Sequence, residues 1–360
     1  MSEYTNTKET LGVQATLDGL VARTLIDFTD TDVQILGKNA FYGQKQLESI
    51  TLPNVESIDS YAFYGCTGLK YIRIGLEKNT VCTLNYSNAI THMGHTIIYV
   101  PPDLVSAYKS ATNWSMRATK IFADGDPNAP EWDETEITDS DNEIFERINN
   151  GTAASYYKLG QYKKIQMGSI SVSMQIVGIN TDALADNSGQ AQLTWISMAV
   201  FGDYSHRMNP SLDGTTEGTG AIGGWDKSEL KSYIYETIWP LIPSGWQNII
   251  KEVKKYTRIY NTNGEVENNV ITSEKIWIPS ARETNCDNSS YRETLGPNYH
   301  MAFASPATRA RRSNNYSRYW WTRSVGSNTQ YFTAISPNDG VWTYTTNPTL
   351  GYYIVLGFCT

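Results

Sequence analysis

At 360 residues, with 40% hydrophobic and 12% aromatic content, the chain is too long for one ordinary core and predicts two or three domains. Its formal net charge of −8 is uneven: residues 124–147 hold ten Asp or Glu against Arg147 alone, which leaves the remainder near neutral. The basic footprint of a nucleic-acid binder is missing, as is any apolar run near the roughly 18–20 residues of a membrane span, so neither partner is expected.

Residues 1–30 read as an N-terminal lead-in or attachment segment, without the charged and apolar regions of a secretory signal. An internal repeat follows. Ala40-Phe41-Tyr42-Gly43 recurs as Ala62-Phe63-Tyr64-Gly65, and the same shift takes Leu47 to Leu69, Ile50 to Ile72 and Leu52 to Ile74. Each copy predicts a helical turn carrying Ala-Phe, a glycine turn and a strand, stacked so that neighbours bury a shared ladder. Ile97-Ile98-Tyr99-Val100-Pro101-Pro102, with Leu104, Val105, Tyr108, Lys109, Asn113 and Trp114, reads as a cap made of one last strand and a helix.

This pattern resembles the BspA-type leucine-rich repeats of bacterial adhesins and phage proteins over residues 31–122. Two clear copies and a cap are too few for a concave binding surface, so the module is expected to serve as a spacer or docking piece.

Residues 123–148 are rich in Pro, Gly and like charges and predict an acidic linker extended by self-repulsion. From 149 to 360 the texture is α+β. Alternating runs over 164–167 and 171–177 predict strands, as do 275–279, 319–321, 331–335 and 352–356. Helices are predicted over 227–242, entered at an Asp226 cap, and over 245–255, entered near Ser244.

The motif order of this half is similar to C-type-lectin-like domains of phage and gut bacteria. It runs Gly223-Gly224-Trp225 with Ser228 and Leu230, Leu241 with Pro243, then Ile249, Ile250 and Val253. Lys275-Ile276-Trp277-Ile278-Pro279-Ser280, Tyr319-Trp320-Trp321-Thr322-Arg323-Ser324, Asn338-Asp339-Gly340 and Leu356-Gly357-Phe358-Cys359 complete it. The ending also resembles the variable proteins of diversity-generating retroelements, in which adenine replacement near the gene's 3′ end scatters Asn and Tyr codons on a rigid scaffold. Between Ser313 and Asn347, 20 of 35 residues are Asn, Ser, Thr or Tyr, as such a variable region (about 305–350) would have.

On this scaffold Trp320, Trp321, Phe332, Val355, Leu356 and Phe358 have the spacing of buried framework positions. The interleaved Asn314, Asn315, Tyr316, Arg318, Asn328, Gln330, Tyr331, Asn338, Trp342, Tyr344, Thr345 and Asn347 are expected to share one exposed ligand-binding face. Tyr, Asn and Ser on rigid loops combine aromatic anchoring with adaptable hydrogen bonding. Arg309, Arg311, Arg312, Arg318 and Arg323 make this end locally basic, which suits an anionic or carbohydrate-rich partner.

Other motifs carry no chemistry. Gly218-x-Gly220-x-x-Gly223 follows a loop (Asn209 to Asp213) rather than a strand, so it is no dinucleotide fingerprint. His92 and His95 lack further ligands for zinc, calcium-lectin signatures are missing, and no cofactor or metal is expected. Cys66, Cys82, Cys286 and Cys359 show no CxxC spacing and predict buried thiols, without the motif context of a formylglycine-generating enzyme.

The expected function is non-enzymatic: a phage receptor-binding or tail-tip adhesin, made in the host cytoplasm and carried on the virion. Its partners would be a bacterial surface receptor, protein or glycan, and virion tail proteins through the N-terminal region. The resembled family includes homotrimers and monomers. A bacterial cell-surface adhesin is the second reading, and an enzyme of the formylglycine-generating type the third.

Overall fold

The repeated Ala-Phe motif of the first third can bury its ring only against another copy of itself. A computed structural model describes residues 2–4, 25–28, 33–91, 93, 96–126, 129, 133–286, 289–299, 302–303, 309, 311–313, 316–337 and 340–360. They fall into two compact units, Met1–Glu131 and Trp132–Thr360.

In the first unit Ala40, Phe41, Ala62 and Phe63 are fully buried, and the two phenylalanine rings stack at 5.5 Å. The Phe41 N–H donates to the Ala62 carbonyl at 2.7 Å and the Phe63 N–H to the Ala89 carbonyl at 2.8 Å. Each turn thus satisfies the buried backbone groups of the one before it. Gly43 and Gly65 close the turns at φ +70° and +76°, a left-handed conformation that glycine adopts without a Cβ clash. The strands Leu25–Asp27, Ser49–Leu52, Tyr71–Ile74, Ile97–Val100 and Ile121–Ala123 form one parallel sheet, with Ile50, Ile72, Ile98 and Ile121 in register. A second parallel sheet runs Ser2–Tyr4, Val33–Leu36, Ser57–Ile58, Thr83–Leu84.

Two expectations change here. The segment 1–30 is not only a lead-in: Ser2–Tyr4 pairs with Val33–Leu36, Leu25–Asp27 pairs with Ser49–Leu52, and Ile26 and Phe28 join the core. The predicted cap does not end the sheet either, because Ile121–Ala123 adds one more strand beyond the Val105–Ser110 helix. That helix is pinned by Tyr108, whose hydroxyl accepts from the Cys82 N–H at 2.9 Å. The Trp114 indole donates to the Cys82 carbonyl at 2.7 Å.

The predicted acidic linker is also shorter than 123–148. Ser140 and Glu143 form a capping box at the start of the Asp141–Asn149 helix, and Ile144 and Ile148 enter the core of the second unit. The negative run hid an apolar pair four residues apart on one helix face. The Trp246 indole donates to Asp141 Oδ2 at 2.9 Å and holds this helix in place.

The second unit mixes helix and strand around two five-stranded sheets. One has the order Tyr162–Met167, Ile170–Ile179, Leu193–Ser197, Gly357–Cys359, Ile276–Trp277, so the last strand of the chain sits inside it with Phe358 opposite Trp195 and Ile276. The other runs Ser205–His206, Tyr352–Tyr353, Trp320–Val325, Phe332–Ile335, Trp342–Thr346. Two hairpins stand beside them, Val253–Tyr260 with Val266–Glu274 and Arg311–Ser313 with Tyr316–Arg318.

Both predicted helices are shorter than expected. Over 227–242 the cap is Ser228, whose Oγ accepts from the Lys231 N–H at 3.1 Å. The α-helix covers Glu229–Tyr233 alone before widening to a π-turn and tightening to a 3₁₀ turn at Trp239–Leu241. Pro240 has no N–H to continue the ladder. The second helix stops at Ser244–Ile249, and Val253 begins a strand whose side chains alternate in burial.

Candidate functional site

The candidate site is built on the Trp320–Val325 strand, all six residues of which are buried. The Trp320 indole donates to the Arg309 carbonyl at 3.1 Å and that of Trp321 to the His206 carbonyl at 2.8 Å. Phe332, Val355, Leu356 and Phe358 are fully buried as well, so the six predicted framework residues all lie in the interior.

Three residues of this strand are polar, and burying them requires partners. Arg323 pairs with Glu283 and donates to the Ile278 carbonyl at 2.7 Å. Glu283 Oε1 also lies 3.1 Å from Lys255 Nζ, which is 2.6 Å from Asp182 Oδ1 and 3.4 Å from the Trp277 ring centroid. The Tyr299 hydroxyl donates to Asp182 at 2.8 Å. Two cations thus meet two carboxylates, all fully inside. Burial alone would raise the Glu283 carboxyl, but the charges of Arg323 and Lys255 outweigh it and hold the group down at about 2. Ser324 Oγ donates to Glu293 Oε1 at 2.6 Å. Sequence reading missed Asp182, Lys255, Glu283, Glu293 and Tyr299, because nothing local marks a charge whose partner lies dozens of residues away.

From this strand the chain turns at Gly326, where a Cβ would meet the Tyr344 carbonyl oxygen at 2.2 Å, so only glycine allows the two segments to approach. The Gly326 N–H donates to the Tyr331 carbonyl at 2.6 Å, and the Ser327 N–H to the Tyr344 carbonyl at 2.8 Å. Asn328 Oδ1 caps the turn by accepting from the Gln330 N–H at 2.9 Å. Five predicted contact residues are therefore brought together: Asn328 and Thr345 exposed, Gln330, Tyr331 and Tyr344 half-buried. Phe332 pairs with Thr346, which places Asn347 beside Tyr331 in the register. Asn347 Oδ1 is occupied by the Thr349 N–H and hydroxyl at 2.9 and 2.8 Å, so it shapes its own turn. One further member was missed: the Tyr291 ring stacks on Tyr344 with centroids 4.3 Å apart.

The remaining predicted residues do not join this patch. Trp342 is 7% exposed; its indole donates to Thr284 Oγ1 at 2.9 Å and the Arg309 guanidinium covers its ring at 4.0 Å. It is a framework side chain whose polar handle is satisfied inside, a correction to its expected exposure. Arg318 lies half-buried over the Tyr353 ring at 5.0 Å. Tyr316 belongs to the same hairpin, its side chain outside the described residues, as are Asn314, Asn315 and Asn338 altogether. Trp320 pairs with Ile335 and Tyr353, whereas Val325 pairs with Phe332. At about 3.3 Å per residue the hairpin end and the turn end of this strand are roughly 16 Å apart. The single expected face is in fact two regions.

All four cysteines are buried thiols. Burial, and then the neighbouring Asp182 carboxylate, push Cys359 well above the usual thiol range, the reverse of what a nucleophile needs. Among the described residues no cluster of His, Cys, Asp or Glu could hold a metal ion, and no helix is long and apolar enough to cross a membrane. His92, His95 and His300 lie outside those residues.

Residues 24–111 match the BspA type Leucine rich repeat region, in six copies. The N-terminal unit carries BspA-type leucine-rich repeats. The match begins ahead of residue 31 and counts more copies than the two read from the Ala-Phe motif, in keeping with the early Leu25–Asp27 strand of this leucine-rich-repeat unit. Residues 215–350 match a Domain of unknown function (DUF6273), a stretch that holds the Trp320–Val325 strand and the whole turn patch. It leaves out the Gly357–Cys359 strand, which the structure places inside the same unit. No curated protein matches the chain.

Proposed function

We propose that the chain is a non-enzymatic ligand-binding protein, a phage receptor-binding or tail-tip adhesin whose C-terminal unit is a C-type-lectin-like domain with a diversified surface. The observation that carries this reading is the division of labour between framework and turn. Asn328, Gln330, Tyr331, Tyr344 and Thr345 project from backbone fixed by Gly326 to a fully buried strand, so side chains there can change without disturbing the core. Tyr291 and Tyr344 supply rigid aromatic area, and the amides and hydroxyl supply adaptable polar contacts. The leucine-rich-repeat unit would attach the chain to the virion, and many copies per particle would multiply weak contacts.

The test is adsorption of purified protein to host cells. Replacing Tyr331 and Tyr344 together by Ala should abolish it while the fold persists; undiminished adsorption would refute the assignment. Codons 305–350 compared with an adenine-rich near-copy beside a reverse transcriptase gene would test diversification separately.

A further inference from the structure

Lys255 and Asp182 are placed for more than an ion pair. Both are fully buried, with Lys255 Nζ 2.6 Å from Asp182 Oδ1 and 3.1 Å from Glu283 Oε1. The Trp277 ring covers the amine at 3.4 Å and stacks on the Tyr299 ring, so aromatic walls shield the contact. The other carboxylate oxygen, Asp182 Oδ2, accepts from the Thr194 hydroxyl and from the Tyr299 hydroxyl at 2.8 Å. The two backbones are fixed as well: the Lys254 N–H donates to the Ala183 carbonyl at 2.8 Å, and Leu184 bridges to Val253. An amine, a carboxyl group under two hydroxyl donors, and a second carboxylate against the amine are the parts of an acyl transfer.

Holding two reactants in contact gives an effective molarity of roughly 10⁵–10⁸ M, which works against the reluctance of an ammonium and a carboxylate to lose water in solution. Amide formation also removes one buried cation and one buried anion, whose desolvation is costly even in a pair, and leaves Arg323 with Glu283. Burial would lower the Lys255 amine, but the Asp182 and Glu283 carboxylates outweigh it and keep the group charged at rest. Reaction therefore waits on a rare proton transfer, which a bond made once per chain tolerates.

We propose that Lys255 and Asp182 condense into an intramolecular amide, an isopeptide cross-link made by the folded chain itself. The ammonium gives one proton to Oδ1 across the 2.6 Å contact. Nζ then attacks Cγ, and Oδ2 takes up negative charge against Thr194 and Tyr299. Glu283 removes a second proton from the nitrogen and returns it to the Oδ1 hydroxyl, which leaves as water. One N–H remains on the amide, and no other reactant is consumed. The link joins the Val253–Tyr260 strand to the loop after Ile179, positions 73 apart, and restricts the unfolded chain as a disulfide would. It does not depend on what the turn patch binds.

Intact-mass spectrometry of the denatured full chain tests this. The wild type should be lighter than its sequence by one water, and proteolysis should release a branched peptide joining Lys255 to Asp182. Asp182→Ala and Lys255→Arg should each restore the full sequence mass. Glu283→Gln leaves the amine and the carboxyl in place and should slow linking by roughly 10²-fold or more. A wild type of full sequence mass, with Lys255 open to acetylation after denaturation, would overturn the proposal, and so would a water loss mapped to any other pair of residues. Both readings need the wild type alone, so they decide even where a variant fails to fold. A folded Glu283→Gln chain that links as fast as the wild type would rule out the proton path through Glu283.

Discussion

The Trp320–Val325 and Trp342–Thr346 strands belong to one sheet, and both start with tryptophan and go on with mostly polar residues. All six residues of the first are buried; the second, at the sheet's edge, buries Trp342 and Thr346 and leaves Thr343, Tyr344 and Thr345 at least partly in solvent. Polar content therefore does not decide exposure here. A central strand hides Arg323 and Ser324 because Glu283 and Glu293 are waiting for them, whereas the edge strand has a partner on one side only.

The largest effect expected from breaking that contrast comes from the central strand. Arg323→Leu strands Glu283 beside Lys255 alone and should cost about 3–5 kcal/mol, measured by urea unfolding; a loss under about 1 kcal/mol would mean the pair is dispensable. Trp342→Ala comes next. As a buried ring it should cost about 3 kcal/mol, and an unchanged melting temperature would return it to the exposed face first expected of it.

Acid sharpens the comparison further. The Glu283 carboxyl lies at about 2 in the fold against an ordinary 4.5, so its contribution is fully present above about pH 4.5 and is lost as pH falls through about 2. Unfolding midpoints should decline over that window in the wild type and less steeply in Glu283→Gln; parallel declines would assign the acid sensitivity to other carboxylates. The smallest effect on stability belongs to the edge: Tyr331→Ala with Tyr344→Ala should shift unfolding by less than about 1 kcal/mol while removing cell adsorption. Unfolding of that double variant would place both rings in the core.

The two units differ in how much of them could be read in advance. Phe41 and Phe63, Ile50 and Ile72 repeat at a fixed interval, and a solenoid converts sequence period directly into spatial neighbours. The early strand Leu25–Asp27 escaped because its copy lacks the Ala-Phe-Tyr-Gly signature. In the second unit the apolar framework (Trp320, Trp321, Phe332, Phe358) was legible from spacing, yet the Asp141–Asn149 helix was masked by its charge. The face divided because Arg318 and Tyr331 are close along the chain but sit at opposite ends of one strand.

What the amino-acid order determined by itself is periodic or local: the 22-residue repeat, which stacking turns into spatial neighbours, and the alternation of the strands, which is set within a few residues. Only the tertiary structure decided which polar side chains are interior. The pairing of Lys255 with Asp182 and of Arg323 with Glu283 depends on residues dozens of positions apart meeting where water is excluded. There the presence or lack of a counter-charge, rather than residue type, sets what each group can do.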